Sequence, residues 1–155
     1  MCNKRNTFRV FFTDLHLIVE VFFYCYNLGM NYIYKNNNPI KKRTGDCIIQ
    51  ALCNVLNKTW EEVFIGLAEV GLLIYETIES NATWDIYIRN HGFVRHTIPD
   101  TCPDCYTVFD FCNDHPFGIF VLGTGHHAIS VIDGTVYDTW NSLNELPIYY
   151  YKKEV

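Results

Sequence analysis

Thr44-Gly45-Asp46-Cys47-Ile48-Ile49-Gln50-Ala51-Leu52 is the stretch around which the chain is organised. Thr44 and Gly45 suit a bend. Asp46 is a residue type that caps helices, because a short carboxylate can accept from first-turn N–H groups. From Cys47 onward, Ile48, Ala51, Leu52, Val55 and Leu56 recur at the i, i+3, i+4, i+7, i+8 spacing of one apolar helix face. The stretch therefore predicts a buried helix with a cysteine in its first turn. A helix N-terminus offers unpaired N–H groups and partial positive charge. Both favour thiolate over thiol, so a cysteine placed there is a candidate nucleophile. The same position also suits a small buried apolar residue, the commoner fate of a free cysteine. The choice between these readings depends on the rest of the chain.

Working outward, residues 35–43 read as a loop, rich in Asn and interrupted by Pro39. After Leu56, Asn57-Lys58 marks a turn, and Thr59-Trp60-Glu61-Glu62 is a capping box opening a second helix to about Leu73. Asn81-Ala82-Thr83-Trp84 opens a third helix with Ile86, Tyr87 and Ile88 as core candidates, and His91-Gly92 stops it. Phe93 to Ile98 alternates as a strand. Thr107 to Asn113 is a short helix whose Val108, Phe109, Phe111 and Cys112 supply apolar surface. From Pro116 the period becomes two: strands over 117–123 and 127–132, a hairpin turn at Asp133-Gly134, a return strand over 135–138, and a Tyr-rich last strand over 147–152. Helices followed by an antiparallel sheet predict an α+β fold.

The chain's 155 residues suit one core. The net charge is −5, and the one short basic run, Lys41-Lys42-Arg43, is no nucleic-acid footprint. Seven irregularly spaced cysteines point to reduced thiols in a cytoplasm rather than to a disulfide framework. Residues 1–29 are very apolar but carry Asp14, His16 and Glu20. A membrane span is disfavoured by Glu20, and no cleavage site for a signal peptide is evident. They read as an apolar extension outside the domain proper, which would run from Met30 to Val155; only as a genuine surface segment would they imply a membrane. The lone Cys102-Pro103-Asp104-Cys105 lacks the second ligand pair of a zinc site and the strand–helix setting of a redox motif.

A thiolate nucleophile requires a base, and the base an orienting group. His127 begins one strand of the Asp133-Gly134 hairpin and Asp138 ends the other, so the hairpin returns the two side by side. A carboxylate beside an imidazole fixes its tautomer and favours imidazolium, which holds a nearby cysteine as thiolate. Taken singly, His127 fits as a core histidine and Asp138 as a strand-end residue. The order Cys47, His127, Asp138 makes the catalytic reading the stronger one. Of the adjacent histidines only one can face the cysteine, since strand neighbours point to opposite faces. Counted back from the hairpin turn, it is His127 that matches the pattern of the small domains this chain resembles, which leaves His126 to solvent or groove. His16, His91, His96 and His115 have no such pattern.

These features resemble the papain-like cysteine peptidases, in which the nucleophile opens a buried helix, a histidine opens a strand and an Asn or Asp follows. His127-Ala128-Ile129-Ser130-Val131 is similar to the family's His-Ala-Val strand. Asp138-Thr139-Trp140 is similar to its Asn-Ser-Trp motif, whose indole shields the histidine's hydrogen bond. Gly45-Asp46-Cys47, Trp60-Glu61-Glu62-Val63 and Tyr137-Asp138-Thr139-Trp140 resemble the small bacterial and phage members over about residues 30–152. The resemblance implies N-terminal helices, with the nucleophile helix packed on a C-terminal antiparallel sheet, and a cytoplasmic thiol hydrolase acting on a peptide or protein substrate without metal or organic cofactor. It implies Cys47, His127 and Asp138 as the triad and Trp140 as the shield. Where the family places Gln six residues before the cysteine, this chain has Lys41. The oxyanion donor is therefore Lys41, Arg43 or a backbone N–H. Two other classes fit the same residues: an acyl transferase of transglutaminase-like type, and a non-catalytic binding module that keeps the fold.

Overall fold

The computed structural model describes residues 31–99 and 103–154. Residues 1–29, with the apolar extension assigned to them, and Cys102 of the Cys-x-x-Cys pair lie outside the described residues.

In chain order the elements are β1 (Tyr32–Tyr34), α1 (Cys47–Leu56), α2 (Trp60–Ile74), α3 (Asn81–Asn90), β2 (Phe93–Thr97), α4 (Val108–Asp114), β3 (Ile119–Gly123), β4 (Ala128–Ile132), β5 (Thr135–Asp138) and β6 (Tyr149–Lys153). The strands form one six-stranded sheet in the order β1-β5-β4-β3-β6-β2. The fold is α+β, as its sequence predicts, with two corrections. The sheet is mixed rather than antiparallel, because β1 runs parallel to β5, pairing Tyr32 with Val136 and Tyr34 with Asp138. It is also not purely C-terminal, because among the described residues β1 precedes the helices and β2 precedes α4. A three-residue edge strand in a polar lead-in carries too little alternation to be read locally; its partner, distant in the chain, defines it.

Period-two alternation sorts the sheet into two faces. Val121, Ala128 and Tyr151 join Leu52, Val63, Leu67, Trp84 and Ile88 in the core beneath α1, α2 and α3. Phe120, Leu122, Ile129, Val131 and Val136 meet Val108, Phe111 and Cys112 of α4. α1 lies chiefly across β4, so the helix that opens on Cys47 is seated on the strand that follows His127.

The punctuation works as its chemistry dictates. Thr59 and Glu62 form the capping box of α2, and Thr107 with Asp110 forms that of α4. Asp133 and Gly134 both take positive φ, 47° and 68°, the tight turn that matches strand twist in a two-residue hairpin. The core candidate Ile86 is exposed, and Phe109 of α4 is exposed too. Helix and strand neighbours of truly buried residues can be apolar without facing inward, and Trp84 and Thr83 take the interior of α3 instead.

Candidate active site

Cys47 is the first residue of α1. Asp46 precedes it at the cap position but makes no capping hydrogen bond. Its Oδ2 accepts instead from Gln50 Nε2 at 3.0 Å and from the indole Nε1 of Trp60 at 2.8 Å. The expectation that Asp46 caps the helix is thus corrected. Two side-chain donors outcompete the backbone for its carboxylate, and of the first turn the Ile48 N–H reaches the sulfur. Burial pushes the Cys47 thiol up. The hydrogen bond with His127, the backbone N–H groups of Ala128 and Ile48, and the charge of His127 together outweigh it, and the thiol lies below its ordinary value of 9.0.

His127 lies immediately before β4, beyond the Thr124-Gly125 turn. The Thr124 hydroxyl accepts from the N–H of both His126 and His127, and the Thr124 N–H donates to the His127 carbonyl, so the turn fixes the histidine's backbone. Register between β4 and β5, with Ser130 opposite Tyr137, puts Asp138 opposite Ile129 and diagonal to His127. His127 Nε2 is 2.7 Å from Asp138 Oδ2, with the two side chains only 8% and 4% exposed. With Nε2 held by the carboxylate, Nδ1 is the nitrogen left for the sulfur. Burial pulls the imidazole's pKa down. Its hydrogen bonds to Asp138 and Cys47, with their charges, prevail and raise it from 6.5 to about 9. A low thiol beside a high imidazole is the signature of a thiolate–imidazolium pair.

Asp138 is held on every side. Its Oδ1 accepts the Thr139 N–H at 2.6 Å, and its Oδ2 accepts both His127 and the Ser142 hydroxyl, the latter at 2.7 Å. Its carbonyl accepts from the Lys35 N–H just beyond β1. The Trp140 ring stands 5.2 Å from the His127 ring and tilted by 42°, covering its outer side.

The structure thus brings Cys47, His127, Asp138 and Trp140 together. It does not bring Lys41 or Arg43 to the sulfur. Lys41 Nζ donates to the Asn36 carbonyl at 2.8 Å and Arg43 to the Thr139 carbonyl at 3.2 Å, and neither lines the cleft. The backbone donors present at the sulfur are the N–H of Ile48 in the first turn of α1 and that of Ala128 at the start of β4.

Cys47 and His127 open into a cleft of about 500 Å³ walled by Trp60, Phe64, Ile78, Trp84, Ile148 and Tyr149. Trp60 stacks on Phe64 at 5.0 Å. His126 is exposed and lines the same cleft as His127; both precede β4, so strand parity does not divide them between faces.

Sequence reasoning missed a buried polar network behind the sulfur. Gln50 Oε1 accepts the Asn37 N–H at 2.6 Å and Gln50 Nε2 reaches Asn36 Oδ1. Asn54 accepts from Asn37 Nδ2 and donates to Ser130 Oγ at 2.9 Å and to the Tyr137 carbonyl. The signal was present: Cys47, Gln50 and Asn54 fall at i, i+3 and i+7, a polar stripe on an otherwise apolar helix. It clasps α1 to the loop before it and to the hairpin that carries His127 and Asp138.

Among the described residues no helix is long and apolar enough to cross a membrane. No family model, curated protein or solved structure matches the chain.

Proposed function

We propose that the chain is a papain-like thiol hydrolase of peptide, isopeptide or other amide bonds, with Cys47 as nucleophile, His127 as general acid and base, and Asp138 as the group that orients the imidazole. The observation that carries this reading is the placement of Cys47 at a helix N-terminus beside an imidazole whose far nitrogen is 2.7 Å from a buried carboxylate.

The chemistry follows from the geometry. The Cys47 thiolate attacks the carbonyl carbon, a C–S bond forms, and the electron pair of the C=O moves to oxygen. N–H groups of the first turn of α1, freed by the diversion of Asp46 to Trp60 and Gln50, are the donors for that oxyanion. The imidazolium of His127 gives its proton to the leaving amine as the C–N bond breaks, which leaves an acyl thioester on Cys47. The neutral imidazole then takes a proton from water, whose oxygen attacks the thioester. Collapse of the resulting oxyanion breaks the C–S bond, releases the carboxylic acid and leaves the Cys47 thiolate beside an imidazolium that keeps the proton taken from water. Asp138 keeps Nε2 occupied, so that Nδ1 is the nitrogen presented to the sulfur. Trp140 keeps water from the His127–Asp138 hydrogen bond. The aromatic-walled cleft fits a polypeptide side chain next to the scissile carbonyl.

The test is incubation of the full chain with a mixed peptide library, with new N-termini read by mass spectrometry. The expected result is time-dependent cleavage that falls by about 10³-fold or more in Cys47→Ala. Cleavage undiminished in Cys47→Ala, or no cleavage of any peptide together with no adduct at Cys47 from a peptidyl epoxide, would contradict the proposal.

A further inference from the structure

Ser142 has no place in the triad, yet it is fully buried, and its hydroxyl donates to the same oxygen of Asp138 that receives His127. We propose that Ser142 is a positioning residue of the active site, which shares Asp138 Oδ2 with His127 and so sets how strongly the carboxylate holds the imidazole's proton.

The arrangement is built, not incidental. The loop that follows β5 is pinned at the start of α4, where the N–H groups of Val108 and Phe109 donate to the carbonyls of Glu145 and Leu143 at 3.0 and 2.9 Å. Those two N–H groups belong to the first turn of α4 and have no partner within the helix. The loop supplies their acceptors, and the contact fixes Ser142 between them and Asp138. The Glu145 N–H closes the turn onto the Ser142 carbonyl at 3.1 Å. The positions therefore run from α4 through the loop to Ser142, Asp138, His127 and Cys47.

The physical consequence has a definite sign. A carboxylate oxygen that accepts two donors spreads its charge between them. Without the hydroxyl, Oδ2 is left to the imidazolium alone and stabilises it more strongly. A more firmly protonated His127 is a poorer acid toward a leaving amine, and general acid catalysis is best when the proton is held near the working pH. Ser142 thus tempers a histidine that Asp138 and Cys47 already raise to about 9.

The inference rests on the reading of His127 as acid and base, but its test does not depend on turnover. The His127 ring is followed by NMR across a pH titration of the full chain without substrate. In Ser142→Ala the midpoint is expected to move upward by about half a unit to one unit. Ser142→Cys, nearly isosteric and a weaker donor, is expected to move it in the same direction by less, and it decides the matter if Ser142→Ala does not fold. A midpoint that stays at the wild-type value, or that falls, would overturn the inference. An upward shift in Ser142→Ala beside a wild type that neither cleaves peptide nor takes an epoxide adduct at Cys47 would refute the hydrolase reading and leave the role of Ser142 toward the imidazole intact.

Discussion

At the scale of single residues, the site depends on where one proton resides. The hydrogen bonds and charge around Cys47 hold its thiol below 9.0, and those around His127 raise its imidazole to about 9, so both shifts favour a proton on nitrogen and a thiolate on sulfur. Alkylation of Cys47 by neutral iodoacetamide is therefore expected to be faster than that of free cysteine at pH 6, where an ordinary thiol is almost wholly protonated. As pH rises through about 9, His127 loses its proton and the ion pair is lost. Asp138→Asn removes a charge that stabilises the imidazolium, so in that variant the alkaline limit moves to lower pH. Alkylation rates measured from pH 4 to 10 check both statements, and coincident profiles for the two proteins would contradict them. The three residues were legible in the sequence because each sits at a punctuated position: a helix start, a strand start, a hairpin end. Ser142 was not, because a serine in a loop has no local pattern; only the folded loop reveals what its hydroxyl reaches. The side-chain partners of Asp46 were also hidden, since Trp60 comes to it from another helix.

At the scale of elements, α1 and the β4–β5 hairpin must keep a fixed separation for sulfur and imidazole to meet. Apolar packing of Leu52 and Ala51 against the sheet is strong but non-directional. Asn54 adds direction. It is buried and joins α1 to Ser130 Oγ, to the Tyr137 carbonyl and to Asn37 before the helix. Asn54→Ala removes one partner from each of these groups, although Ser130 Oγ still donates to the Tyr137 carbonyl and Asn37 Nδ2 to the Gln50 carbonyl, and is expected to cost about 1–2 kcal/mol of stability, read from urea midpoints. It is also expected to slow Cys47 alkylation at pH 6, because the helix loses its register on the hairpin. An unchanged midpoint would show that water or neighbouring groups satisfy the network equally well. Helix limits were legible to within a residue or two, since capping boxes and apolar periodicity are local. β1 was not, because a strand of three residues exists only through its pairing with β5. Gln50 and Asn54 were passed over because apolar periodicity draws the eye to the opposite stripe of the same helix.

At the scale of the whole molecule, the sheet is what unites groups far apart in the chain. β5 lies between β1 and β4, which places Asp138 beside both the strand that leads toward Cys47 and the strand that follows His127. The α+β class was legible from the change of period along the chain, whereas the mixed pairing was not. Every element of the sheet and every residue of the candidate site falls within residues 31–154. The other described cysteines then serve as internal controls for the central claim, that the sulfur of Cys47 is activated. Burial pushes Cys53 and Cys112 up to about 12, which disfavours their thiolates, while among the described residues no imidazole pairs with the exposed Cys105. The most direct measurement is iodoacetamide labelling of the full chain at pH 6, mapped by mass spectrometry in the wild type and in His127→Ala. Selective modification of Cys47 that disappears in His127→Ala is the predicted result. First labelling at Cys102 or Cys105, or labelling of Cys47 that persists unchanged in His127→Ala, would contradict it.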